Sequence, residues 1–247
     1  RRLSPIMPAD FEQMSSRRNA TVGAFRAAAA SRAADAPMLL DGWHLVEDAR
    51  RAHLALTLVA VASSRLEADA SLAALTSAIA RQGARVLSVT DGVMDAISPV
   101  SSPSGIVALA ERPAITLDDV LARPPRLVIG LVDLQDPGNV GGVIRTADAA
   151  GASGVVAAGQ CADPYGWKAL RGAMGGTFRV PVARASDPAA VVTHARAAGL
   201  TIVATAAGDG APPWTMNLTQ PTLVLIGGEG GGLPTAVVAA ADETLSI

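Results

Sequence analysis

Asn139 and Arg145 stand just past one apolar run, and Glu229 stands among glycines just past another. A guanidinium held in place is a fork for phosphate, or a charge that lowers the pKa of a nearby hydroxyl. A carboxylate ringed by glycines accepts hydrogen bonds or balances a cation. The first stretch, residues 131–152, reads LVDLQDPGNVGGVIRTADAAGA. Asp136-Pro137-Gly138-Asn139 is a strong turn sequence, and Asn139 is expected to cap the helix that follows. Gly141 and Gly142 fall in the first turn, where other residues form helix better, so close backbone access is expected there. Arg145 lies six residues after Asn139, on a nearby but different helix face. The plainer reading is an ordinary capped helix with a solvated arginine.

The second stretch runs LVLIG and then Gly227-Gly228-Glu229-Gly230-Gly231-Gly232, five glycines about one carboxylate. It is not the dinucleotide fingerprint, because Leu233 takes the last glycine's place, and it lacks the Lys-Ser/Thr of a phosphate loop. Its plainer reading is a flexible loop. Other candidates are weaker. His44, His53 and His194 are scattered, and Cys161 has no neighbouring base. Trp167 and Trp214 read as packing anchors, with base stacking as the alternative. Asp133 and Asp136 lack a third ligand for a metal.

The elements that must position these residues alternate in type. An Arg- and Ala-rich arm and helix is expected over residues 1–35. A compact α/β unit follows over 36–112: strands at 38–42, 54–62, 84–89 and 106–111, and helices at 43–52, 66–82 and 91–97. Asp41 is its first candidate cap. Residues 113–125 read as a Pro-rich linker with one helix starting near Thr116. From 126 to 247 the alternation is strict, with strands at 127–133, 154–158, 177–183, 200–205 and 222–226 and a last one at the end. Helices are expected at 139–150, 164–173, 188–198 and 234–241. Such alternation predicts a parallel α/β sheet covered on both faces, with ligands beyond the carboxyl ends of its strands. Both glycine-rich exits occupy that position.

Composition narrows the classes. The chain has 247 residues, half of them hydrophobic but only 3% aromatic, and a net charge of −2. That balance excludes a wholly electrostatic nucleic-acid binder, although Arg1, Arg2, Arg17 and Arg18 make a local basic arm. Lys168 is the single lysine among twenty basic residues, a skew that GC-rich coding bias also produces. One cysteine excludes an internal disulfide framework. No apolar run reaches the ~20 residues of a membrane span, so a soluble cytoplasmic protein is expected. The chain begins without Met and stops at Ile247, so both natural termini are expected to lie beyond it.

Taken together, the two stretches resemble a known family. D-P-x-N-x-G-x-x-x-R-T-A at 136–147 resembles the first motif of the SpoU/TrmH branch of the SPOUT RNA methyltransferases. G-x-E-x-x-G-L at 227–233 looks like their second motif. MLLDGWHLVEDA at 38–49 and SPSGIVALAE at 102–111 are similar to the L30-like substrate-binding domain that many members carry. The resemblance implies an α/β trefoil-knot domain at 126–247. It also implies transfer of a methyl group from S-adenosylmethionine to a ribose 2′-hydroxyl of RNA, ribosomal before transfer RNA. No metal is implied, because the sulfonium is already an activated donor. Carried over by motif, Arg145 would activate the hydroxyl or grip the adjacent phosphate. Asn139 would position that arginine or the RNA, and Glu229 would orient Arg145 and shape the pocket. Gly227 and Ile247 match cofactor-binding positions, with Thr205, Ala206, Leu225, Ile226, Glu229 and Gly230 beside them. A homodimer is implied too. The family's third motif, which completes the knot and adds pocket and dimer contacts, would begin where this chain stops. Two rivals remain at this stage: a non-catalytic RNA-binding relative and a nucleotide-cofactor oxidoreductase.

Overall fold

The computed structural model describes residues 10–31, 33, 35–124, 126–208, 210–217 and 219–247. Arg1 and Arg2 of the expected arm lie outside them. The chain divides into two compact units, Arg1–Pro113 with Tyr165–Trp167, and Ala114–Pro164 with Lys168–Ile247.

Among the described residues, the first strand of this unit is one that the sequence reading missed. Glu12–Met14 (β1) buries only Met14, so three residues carry no readable alternation. Asn19 then caps Ala20–Ala30 (α1) by accepting from the Thr21 N–H at 2.9 Å. Met38–Asp41 (β2) leads to Trp43–Arg51 (α2). Asp41 does not cap α2; it ends the strand and accepts from Ser98 Oγ at 2.6 Å, and Gly42 (φ 106°) makes the turn. Leu56–Ala62 (β3) follows. The helix expected at 66–82 is two, Ser63–Ala68 (α3) and Ala70–Arg81 (α4), because Asp69 leaves helical geometry to cap Ser71 and Leu72. Arg85–Val89 (β4), Asp91–Ile97 (α5) and Ile106–Ala110 (β5) complete the unit. Its sheet runs β1-β4-β3-β5-β2, with β5 antiparallel to β3 and β2.

In the second unit, part of the expected linker is helix. Leu117–Leu121 (α6) starts with a Thr116–Asp119 capping box, and its Val120 is buried. Then come Leu127–Val132 (β6), Pro137–Ala149 (α7), Gly154–Ala158 (β7), Trp167–Ala173 (α8) and Gly176–Arg179 (α9). Val182–Ala185 (β8), Pro188–Ala197 (α10), Thr201–Ala206 (β9), Thr222–Gly227 (β10), Thr235–Ala239 (α11) and Glu243–Ser246 (β11) follow. The strand expected at 177–183 therefore starts late. Residues 176–179 instead form a helical turn packed against α7. Trp214 is no packing anchor, being 84% exposed.

The second sheet is parallel throughout, in the order β11-β9-β10-β6-β7-β8. From β6 the chain builds outward through β7 and β8, then crosses to fill the other side. The reversal falls between β6 and β10, which pair over six residues, Thr222↔Leu127 to Gly227↔Val132. Loops leaving two such strands diverge and open a crevice. Val128, Val132, Val156, Ile202, Leu223 and Leu225 form the apolar core beneath it.

Strand β11 is pinned at its start. Asp242 accepts from the Ile202 N–H at 2.8 Å and from Arg196 at 2.7 Å, and these bonds hold its carboxyl below the usual range. A depressed folded-state pKa contributes stability that is present above the unfolded value near 4 and lost as pH falls. Asp242→Asn is therefore expected to lower the thermal midpoint at pH 7 and to flatten its acid decline. Equal losses at pH 7 and pH 3 in a calorimetric series would show that the carboxylate contributes nothing.

Candidate functional site

The first exit is built on a cap different from the expected one. Asp136 is the N-cap of α7 and accepts from the Asn139 N–H at 2.9 Å, with Pro137 in the first turn. Asn139 is therefore inside the helix, and its amide side chain is released from capping. Asn139 Nδ2 instead donates to Glu229 Oε1 across the crevice. The carboxylate and the amide, ninety residues apart, meet at one point.

The second exit is a tight turn. The Gly232 N–H donates to the Gly228 carbonyl at 3.0 Å, which puts Glu229, Gly230 and Gly231 at the tip. Chain packing accounts for two of its glycines. A Cβ at Gly227 would drive into the Gly232–Leu233 backbone, and one at Gly228 into the Asp133 carbonyl. Gly230 (φ 80°) and Gly232 (φ 64°) take the left-handed region. Gly141 likewise serves packing rather than ligand access, because a Cβ there would strike the backbone of α8.

The Asp133 contact joins the two exits. Asp133 itself holds φ 55°, rare for a residue with a Cβ, and its carboxylate accepts from the Gln160 N–H at 2.7 Å. Between the exits lies an open cavity of about 680 Å³, lined by Asp133, Leu134, Gln135 and Asp136 from the first, and Gly228, Glu229, Gly231, Gly232 and Pro234 from the second. That volume suits a nucleoside-sized ligand.

Thr205, Ala206, Leu225, Ile226, Gly227 and Ile247 gather at the carboxyl ends of three neighbouring strands. Thr205 Oγ1 donates to the Leu225 carbonyl at 2.9 Å, Leu245 pairs with Thr205, and the Ile247 N–H donates to the Ala206 carbonyl at 3.1 Å. These six do not line the cavity between the exits, whereas Glu229 does.

Arg145 is not drawn to Glu229. It is exposed on α7 and donates from Nη1 to the Met174 sulfur at 3.4 Å. Sequence reasoning missed Met174 entirely, since a methionine between α8 and a glycine pair carries no signal of its own.

Cys161 is half-buried, with its sulfur near the Leu134 N–H at 3.3 Å and the Ala158 carbonyl at 3.2 Å. Burial pushes its thiol up. Alkylation by iodoacetamide at pH 7.5 is expected to run well below the rate for a free cysteine peptide. A rate equal to the peptide's would contradict the buried placement.

Comparison with known proteins adds independent information. Residues 126–247 match the SpoU rRNA Methylase family, and residues 28–108 match the MRM3-like substrate binding domain. The chain is 36% identical over 151 residues to the 23S rRNA (uridine(2479)-2′-O)-methyltransferase of Streptomyces viridochromogenes. That match covers 59% of this chain and 53% of the relative, so it spans about half the relative's length. It is 28% identical over 211 residues to the 23S rRNA (guanosine(2553)-2′-O)-methyltransferase of Bacillus subtilis (strain 168), covering 85% of this chain and 78% of that one. An AdoMet-bound rRNA methyltransferase from Sinorhizobium meliloti superposes with a TM-score of 0.82 at 29% identity, over 96% of this chain and 88% of that one.

Proposed function

The chain belongs to the SpoU rRNA methylase family, and from that premise we propose that it transfers a methyl group from S-adenosylmethionine to a ribose 2′-hydroxyl of 23S ribosomal RNA. The observation that carries this reading is the pairing of β6 with β10, which brings both motif loops to one cavity and joins Asn139 to Glu229.

The adenosine of the cofactor is assigned to the rim at the ends of β9, β10 and β11. Thr205, Ala206, Leu225, Ile226, Gly227 and Ile247 would hold the cofactor there, with Glu229 and Gly230 of the neighbouring turn beside them. When bound, S-adenosylmethionine supplies an electrophilic methyl on a positively charged sulfur. A neutral 2′-hydroxyl is a poor nucleophile, so the residues around it must hold it in line and ease loss of its proton. Glu229, fixed by the Asn139 amide, shapes the pocket and accepts from the incoming ribose. Arg145 offers positive charge to the oxygen that loses its proton or to the phosphate next to it.

The first unit is read as the part that docks the RNA, and the active species as a homodimer with a knotted methyltransferase domain. Exposure of Arg145 and Met174 on one side of α7 supports a second copy covering that side. Among the described residues no helix is long and apolar enough to cross a membrane. A cytoplasmic location agrees with an rRNA substrate.

Mapping 2′-O-methylated nucleotides in ribosomal and transfer RNA, from cells with and without the gene, tests the reaction and the substrate together. One 23S position that loses its methyl group is the expected result. A lost transfer-RNA mark would redirect the substrate, and no lost mark would overturn the assignment.

A further inference from the structure

We propose that Met174 is a positioning residue for Arg145, holding the guanidinium in place without neutralising it; this rests on the methyl-transfer reading above. A long exposed arginine samples many rotamers, and a carboxylate partner would fix it at the cost of masking its charge. Arg145 has a neighbour of that kind one helical turn on, Asp148. The fold takes that carboxylate away, because Arg179 of α9 donates to Asp148 from Nε at 2.8 Å. The same arginine donates from its Nη2 to the Met174 carbonyl at 3.1 Å. The turn α9 packs against α7 beside Ile144, Arg145 and Asp148.

The result is a loop of contacts that starts and ends on one face of α7. Asp148 holds Arg179, Arg179 holds the Met174 backbone, and the Met174 sulfur receives the Arg145 Nη1 at 3.4 Å. Among the described residues no carboxylate pairs with Arg145. A thioether is a neutral and weak acceptor, so it orients the guanidinium and leaves its charge available. Met174 bears a local cost: its φ is 49°, in the left-handed region. Glycine would satisfy that backbone without strain, as it does at Gly175 (φ 80°). Strain retained beside a proposed reacting group points to a task for the side chain rather than for the turn.

The test uses Met174→Gly, Met174→Leu and Met174→Gln in the full chain. Met174→Gly removes strain and sulfur together, so its thermal midpoint is expected at or above the parent's while kcat falls. Met174→Leu keeps volume but not the acceptor, and is expected to lower kcat about tenfold or more with KM for S-adenosylmethionine unchanged. Met174→Gln restores a neutral acceptor and most of the rate. In an Arg145→Ala background none of the three is expected to lower the rate further, because the two residues act as one. Parental turnover in Met174→Leu, or an equal loss in the Arg145→Ala background, overturns the proposal. If the parent transfers no methyl group, the earlier reading fails, and side-chain NMR decides this one separately. The Arg145 guanidinium N–H signals are expected to broaden in Met174→Leu and sharpen again in Met174→Gln. Identical spectra in all variants overturn it.

Discussion

Arg145→Ala is expected to lower the methyl-transfer rate by about a hundredfold or more, while affinity for S-adenosylmethionine stays within severalfold. The guanidinium is exposed on α7, donates to Met174 and has no place among the residues that line the cavity or the strand-end rim. Its loss should therefore leave cofactor contacts untouched and remove charge only where the ribose oxygen or its phosphate sits. Single-turnover methylation of an RNA fragment, beside a calorimetric titration with S-adenosylmethionine, separates the two effects. Arg145→Lys keeps the charge but not the planar fork, and is expected to recover only part of the rate. Near-parental turnover of Arg145→Ala would remove Arg145 from the reaction altogether.

Two adjacent glycines are expected to respond in opposite directions. In Gly141→Ala the new methyl group would strike the carbonyl and amide backbone of α8, which cannot swing aside as a side chain can. A cost of ~3 kcal/mol follows for overpacking of this kind. That corresponds to a thermal midpoint lower by roughly 6–12 °C for a domain of this size. In Gly142→Ala the methyl group meets open space within the same helix, so helix propensity alone acts, and the variant is expected to gain up to ~1 kcal/mol. Thermal melts of both variants decide the matter. A destabilised Gly142→Ala or an unaffected Gly141→Ala would mean that α7 and α8 do not pack as described.

The same pair of residues marks how far a sequence can be read. Glycine at 141 and 142 signals missing side chains, and sequence alone suggested access for a ligand at both. Only the approach of α8 separates a glycine that a neighbouring backbone demands from one that nothing in this chain demands. Asn139 carries a similar lesson. Asp136 and Asn139 both suit a helix start by residue type, and the choice between them depends on where the chain leaves β6. With Asp136 as the cap, the Asn139 amide is free to reach Glu229.

Local pattern by itself determined a great deal. Strand and helix alternation over 126–247, the two glycine-rich exits and the motif pairing were all legible, because apolar periodicity and turn chemistry are properties of neighbouring residues. Short elements were not: three residues at Glu12–Met14 hold too little pattern, and the four residues Gly176–Arg179 form a single turn packed against α7. Tertiary structure alone decided that β10 inserts beside β6, ninety-five residues later in the chain by the register Thr222↔Leu127. No sequence pattern encodes which parallel strands become neighbours, since that depends on which crossovers bury the most apolar surface at once. That pairing turns two separate loops into one cavity, while the packing of α9 on α7 sets a methionine, rather than the expected carboxylate, beside the Arg145 guanidinium.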